Sequence, residues 1–151
     1  MRKWNILSAF LILLFLTACA ASPERHVRNA LGVDLPAAEQ VTSSDSHGGF
    51  HGDGMLLTEL SYRPGDGENV EKRLADAGWK PLPATENLQR VMTDELLLPE
   101  ITNGLWYFYD RHSESSDPFS DAELFDRYSL NFTFAVFDAD MDTLYYLEFD
   151  T

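Results

Sequence analysis

The densest group of residues that could do chemistry lies between positions 45 and 54. This stretch reads Asp-Ser-His-Gly-Gly-Phe-His-Gly-Asp-Gly and holds four of the nine glycines and two of the four histidines of the chain. Imidazole and carboxylate groups are common ligands of zinc and similar ions, and a His–Asp pair can also transfer protons. The residues of this candidate binding loop are Asp45, His47, Gly48, Gly49, His51 and Asp53.

The same stretch cannot form a helix, because each glycine would destabilise one by about 1 kcal/mol. The sequence therefore predicts a loop or a distorted hairpin. If the loop brings Asp45, His47, His51 and Asp53 together, they form a divalent-metal site or an acid–base site. The alternative is structural: the glycines shape a tight connection and Phe50 fills the core. No metalloenzyme spacing is met, so we assign no catalytic residue.

The N-terminus has the parts of an export signal. Arg2 and Lys3 precede an apolar run over residues 6–16, which is shorter than the roughly 20 residues of a membrane-spanning helix. The run ends in Leu16-Thr17-Ala18-Cys19, which resembles the lipobox of bacterial lipoproteins. A plain signal peptide that contains a cysteine is the alternative.

The lipobox resemblance implies where the protein resides. Residues 1–18 would be the removed signal peptide, and Cys19 would carry a diacylglycerol thioether and a further acyl chain such as palmitate, with residues 19–22 as a short tether. Two or more acyl chains suffice for stable anchoring. The implied partner is the lipid membrane, and the implied location is the cell envelope. That is the outer face of the plasma membrane, or the outer membrane where the host has one.

A second resemblance concerns residues 44–54 and the ending Tyr-Tyr-x-Glu-Phe-Asp-Thr over residues 145–151. Both stretches are similar to runs in small Firmicute-type lipoproteins that have an HGGFHGDG motif and no assigned activity. This resemblance implies a single domain and implies nothing about function.

The domain that follows the leader is strongly acidic. The chain has 11 Lys+Arg and 25 Asp+Glu, and the leader holds Arg2 and Lys3, so the remainder carries 9 − 25 = −16. Such a charge repels nucleic acid, which we exclude as a partner. Basic proteins, cations and neutral small ligands stay plausible. Because Cys19 is the only cysteine, the chain has no internal disulfide.

The remaining pattern predicts an α+β domain over residues 23–151. Ser22 and Pro23 are typical of a helix start, and Arg25, His26 and Arg28 make this helix the one basic-leaning part of the domain. We expect an antiparallel sheet of about four to five strands, two or three helices packed on one face, and a C-terminal β-hairpin. The predicted strands cover residues 40–44, 55–62, 105–112, 130–138 and 144–150, and further helices are predicted over residues 68–77 and after Thr85.

Three functional interpretations fit these observations. The first is a membrane-anchored binding or interaction module. The second is a metal-dependent or acid–base enzyme that uses the loop over residues 45–53. This interpretation is weaker than the first, because the loop matches no known metalloenzyme spacing. The third is an inhibitor or immunity-type protein whose acidic surface captures a basic partner.

Overall fold

A computed structural model describes residues 22–48, 52–112 and 114–151. Six strands form one sheet in the order β1-β2-β6-β5-β4-β3, and every neighbouring pair is antiparallel. The strands are β1 (Gln40–Asp45), β2 (Gly54–Ser61), β3 (Lys80–Pro81), β4 (Gly104–Asp110), β5 (Asn131–Asp138) and β6 (Thr143–Asp150). The helices are α1 (Pro23–Leu31), α2 (Gly67–Asp76) and α3 (Glu86–Arg90), and α3 continues into a π-helical turn, Val91–Glu95.

The helix ends follow from local chemistry. The Ser22 hydroxyl accepts a hydrogen bond from the backbone N–H of Arg25, and Gly32 ends α1 in the left-handed conformation, with φ 64°, as capping rules predict. Thr85 caps α3 in the same way, accepting from the backbone N–H of Leu88. Among the described residues, no helix is long and apolar enough to cross a membrane.

The sheet is buried on both faces, because successive side chains of a strand point to opposite sides. On β5, Ala135 and Phe137 join one apolar cluster, while Phe134 and Val136 join the other. α1 and α2 cover the first face through Val27, Val70 and Leu74. α3 and the π-helical turn cover the second face through Leu88, Val91 and Met92.

The α+β class, the antiparallel sheet and the C-terminal hairpin are therefore confirmed, with Asp138 opposite Thr143 at the hairpin turn. Two details of the prediction are wrong. The sheet has six strands, because the two-residue strand β3 pairs with β4. The helices also lie on both faces, because β5 and β6 carry apolar side chains on both sides.

Candidate functional site

The candidate loop connects the hairpin of β1 and β2. The two strands stay in register as far as Asp45, which lies opposite Leu56, and Ser46 N–H then donates to the carbonyl of Met55 over 2.9 Å. Beyond this point the described residues keep one long backbone hydrogen bond, from Gly48 N–H to the carbonyl of Asp53 at 3.3 Å. The described ends of the stretch agree with the prediction of a loop or a distorted hairpin, and residues 49–51 lie outside the described residues.

Gly54 lets the backbone of His47 approach the start of β2 closely. A Cβ atom at this position would lie 2.4 Å from the Cα of His47, so the backbone of the loop passes directly against the start of β2. Gly54 pairs with Asp150 on the central strand β6. This close approach brings the His47 side chain within reach of the end of β6.

His47 is held first by its neighbour Asp45. One Asp45 carboxylate oxygen, Oδ1, accepts the backbone N–H of His47 at 2.9 Å and lies 2.7 Å from the ring Nδ1. A short aspartate that bonds the backbone two residues on is a common turn device. The sequence spacing of these two residues is therefore sufficient to build the contact locally.

The other ring nitrogen of His47 contacts the last strand. Nε2 lies 3.2 Å from Oδ2 of Asp150, and the Arg111 guanidinium donates to the same carboxylate at 3.0 and 3.1 Å. Arg111 also donates to the carbonyls of Phe132 and Phe149 at the end of the sheet. We call the row Asp45–His47–Asp150–Arg111 the His47 ion chain, in which acidic and basic groups alternate.

This geometry favours the protonated form of His47. A neutral imidazole has one N–H donor, whereas both ring nitrogens face carboxylate oxygens and donate to both only in the imidazolium form. The hydrogen bond with Asp45 raises the pKa of His47, and the Asp150 carboxylate adds to the rise. In turn, the hydrogen bonds from the His47 backbone and ring lower the pKa of Asp45. When His47 is protonated, the formal charges of the four groups in the His47 ion chain sum to zero.

The predicted metal ligands divide into three groups. Asp45 and His47 come together. However, the two ring nitrogens of His47, which are the atoms that could bind a metal, already face the carboxylates of Asp45 and Asp150. Asp53 contributes its backbone carbonyl to the loop. His51 lies outside the described residues, so its part in a metal site stays a prediction, as does the part of Gly49 in the candidate binding loop. Within residues 22–48, 52–112 and 114–151, no group of three His, Cys, Asp or Glu side chains is arranged to hold a metal ion.

A cavity of about 620 Å³ lies at the opposite edge of the sheet. Its walls are the segment after β3, the π-helical turn, and the segment that leads into β4. Pockets of 300–1,000 Å³ are typical of small-molecule sites, and π-helical turns are frequent at such sites. The lining side chains are mostly apolar: Leu82, Pro83, Ala84, Met92, Pro99 and Ile101, together with Gln89, Thr93, Glu100 and Thr102.

The polar groups of the cavity are few and partly fixed. The Gln89 side-chain amide donates to the carbonyl of Ala84 at 2.7 Å, which leaves its carbonyl oxygen as an acceptor. Thr93 donates back to the helix backbone, to the carbonyls of Gln89 and Arg90 at 3.2 Å. Among the described residues that line the cavity, Glu100 is the only charged one. The cavity therefore suits an uncharged, largely apolar ligand better than an anion.

Sequence reasoning missed this cavity and the far half of the His47 ion chain. The cavity is built from a helix predicted as core packing and from two proline-containing connections, whose course a sequence does not give. Asp150 is 103 residues away from His47 in the sequence, and Arg111 is 39 residues away from Asp150. The antiparallel registers of β2, β6, β5 and β4 bring them together.

Comparisons with known proteins give no further guide. The chain matches no protein-family model, and comparison with the curated proteins and with the solved structures gives no match.

Proposed function

We propose that the protein is a membrane-anchored binding module of the cell envelope, attached through acyl chains on Cys19 and binding a small, uncharged ligand. The observation that supports binding is the cavity of about 620 Å³ beside the π-helical turn. Its apolar walls and its few polar groups are the features of a ligand site. The support for attachment is the lipobox resemblance of residues 16–19.

The enzyme interpretation has weaker support. A general base needs a free lone pair near the proton that it removes, but both nitrogens of His47 face carboxylates. The cavity holds neither a histidine nor a cysteine, and Glu100 is its one titratable residue. The arrangement of the described residues therefore supports binding better than catalysis.

The cavity is tested with two fluorescent probes of similar shape and different charge. We expect neutral N-phenyl-1-naphthylamine to bind saturably with one site per chain, and anionic 1-anilinonaphthalene-8-sulfonate to bind more weakly, because no cation lines the cavity. Thr102→Trp places an indole at this exposed lining position and should weaken binding of the neutral probe at least tenfold. The matched control is Thr42→Trp on the exposed edge strand β1, which should bind like the parent.

Two results would contradict the proposal. Equal probe affinity in the Thr102→Trp and Thr42→Trp proteins would show that the probe binds elsewhere. For the anchor, mass spectrometry of the membrane-extracted protein should show an acylated Cys19, and Cys19→Ala should lose that mass and leave the membrane fraction. An unmodified cysteine in the mature protein would refute the attachment.

A further inference from the structure

The outward face of α1 forms a groove with basic character. Arg25, Arg28, Asn29 and Gly32 follow one another at helical spacing, on the side away from Val27, which is fully buried. These four residues, together with the loop after the helix, line an open groove of about 580 Å³. We call this surface the α1 groove.

The carboxylates around the α1 groove already have partners. Glu24 accepts from Arg28 at 2.6 Å and from the backbone N–H of Ala38 at 2.9 Å. Asp34 pairs with Arg73 on α2 at 3.1 Å. Arg25, by contrast, makes no ion pair with any residue that the structure describes. The groove thus keeps one uncompensated positive charge.

Among the described residues, Arg25 is the free cation of the groove. The Arg28 guanidinium already donates to Glu24 and to the carbonyl of Pro36 at 2.8 Å, whereas the Arg25 side chain is exposed. An oxygen-rich anion in the groove would neutralise Arg25, because guanidinium groups match phosphate oxygens well.

Chain length connects the groove with the proposed anchor. Ser22, which caps α1, follows Cys19 by three residues, and three extended residues span about 10 Å at most. The domain beyond the leader carries −16, so an anionic surface repels most of it and attracts the α1 groove. Anionic lipid headgroups attract each nearby basic residue by about 1 kcal/mol.

We infer that the α1 groove docks on the anionic phospholipid headgroups of the membrane that holds the anchor. The inference rests on the proposed acylation of Cys19: the acyl chains supply affinity and the α1 groove supplies orientation. Because α1 and the ligand cavity pack on opposite faces of the sheet, docking directs the cavity away from the membrane.

The test uses the acylated protein in vesicles of phosphatidylcholine, with and without phosphatidylglycerol. A fluorophore is attached at Asn29→Cys in the α1 groove or, in a second protein, at Thr102→Cys in the cavity wall, and lipids with spin-labelled headgroups quench it. We expect stronger quenching at position 29 than at position 102 when phosphatidylglycerol is present. The difference should shrink at high salt or in pure phosphatidylcholine.

Charge variants give the quantitative check. Arg25→Gln should lower the ratio of docked to undocked protein about fivefold, the equivalent of about 1 kcal/mol. Arg90→Gln is the matched control, since Arg90 lies on α3 over the Phe125 ring on the opposite face; it should leave the ratio unchanged. Equal quenching at the two labels, or no effect of Arg25→Gln, would overturn the docking while leaving the anchor intact. A chain that lacks acyl mass and does not float with vesicles would overturn both.

Discussion

Replacement of His47 by glutamine tests the His47 ion chain most directly. Glutamine keeps hydrogen-bonding capacity but no charge, so Asp150 loses one of its two cationic partners. The His47–Asp150 contact measures 3.2 Å, and each side chain is about a quarter exposed. Hydrogen bonds with a charged partner contribute about 1.5–3 kcal/mol when well buried. Exposure reduces this contact to about 1 kcal/mol. For a domain of this size, His47→Gln should then lower Tm by about 3–5 °C.

The pH dependence separates this explanation from a simple packing effect. Because the folded state raises the pKa of His47 above its ordinary value of 6.5, the stabilisation is complete below that value. It is lost as the pH rises through the folded pKa. The pKa of Asp45 is lowered, so its share is present above its ordinary value of 3.8 and is lost as the pH falls through the lowered one. The difference between parent and His47→Gln should therefore be largest between these limits.

Thermal unfolding at about pH 5.5 and about pH 8.5 measures the effect, since the two values lie below and well above the ordinary histidine pKa of 6.5. His112→Gln is the matched control: the His112 ring accepts a hydrogen bond from the backbone N–H of Glu114, so its replacement should not reproduce the loss of stability of His47→Gln. Proton NMR of the imidazole should also show a pKa of His47 that falls when Asp45→Asn removes the carboxylate. A His47→Gln deficit that is equal at both pH values, or larger at high pH, would refute the imidazolium assignment.

Two further substitutions test how the fold holds the site. Gly54→Ala should destabilise the protein by about 1–3 kcal/mol in urea unfolding, because the new Cβ would lie 2.4 Å from the backbone of His47. Gly52→Ala should cost only the roughly 1 kcal/mol of a side chain in the left-handed region, because Gly52 has φ 74° and its Cβ would meet no atom of the described residues. A larger loss for Gly52→Ala than for Gly54→Ala would contradict the close approach. Arg127→Met should cost about 3 kcal/mol, because it leaves the Asp110 carboxylate, only 3% exposed and 2.7 Å from the guanidinium, without its cation; adding Asp110→Asn should restore part of the loss, and an additive double variant would show that the two groups do not interact.

Local patterns predicted most of the secondary structure. The cap of α1, from Ser22 to Gly32, depends on residues within one helix, and the strand over residues 55–62 agrees with β2 to within a residue. The sequence does not reveal β3, because a strand of two residues, the second of which is Pro81, carries no periodic signal. The second buried face is harder to predict, because Phe132, Phe134 and Val136 form a clear apolar row. Ala135 and Phe137, which alternate with them on the other face, give a shorter and weaker row.

In the candidate site, too, the local contact could be predicted from the sequence and the long-range contact could not. The contact of Asp45 with His47 spans two residues and is therefore encoded locally. The contact of His47 with Asp150 spans 103 residues and depends on the register between β2 and β6. One residue of slip would turn Asp150 to the other face of the sheet. The ligand cavity requires the positions of three separate segments, and no spacing in the sequence specifies those positions.

The place of β6 in the sheet has a consequence for when the protein folds. β6 follows the other five strands along the chain, yet it lies between β2 and β5. The β1–β2 hairpin therefore has no strand of the main sheet to pair with until β6 has been made. Synthesis from the N-terminus delivers β6 after the other five strands, and pairing of distant segments is slow. Closure of the sheet is thus tied to the arrival of β6, and until then β2 keeps one unpaired edge.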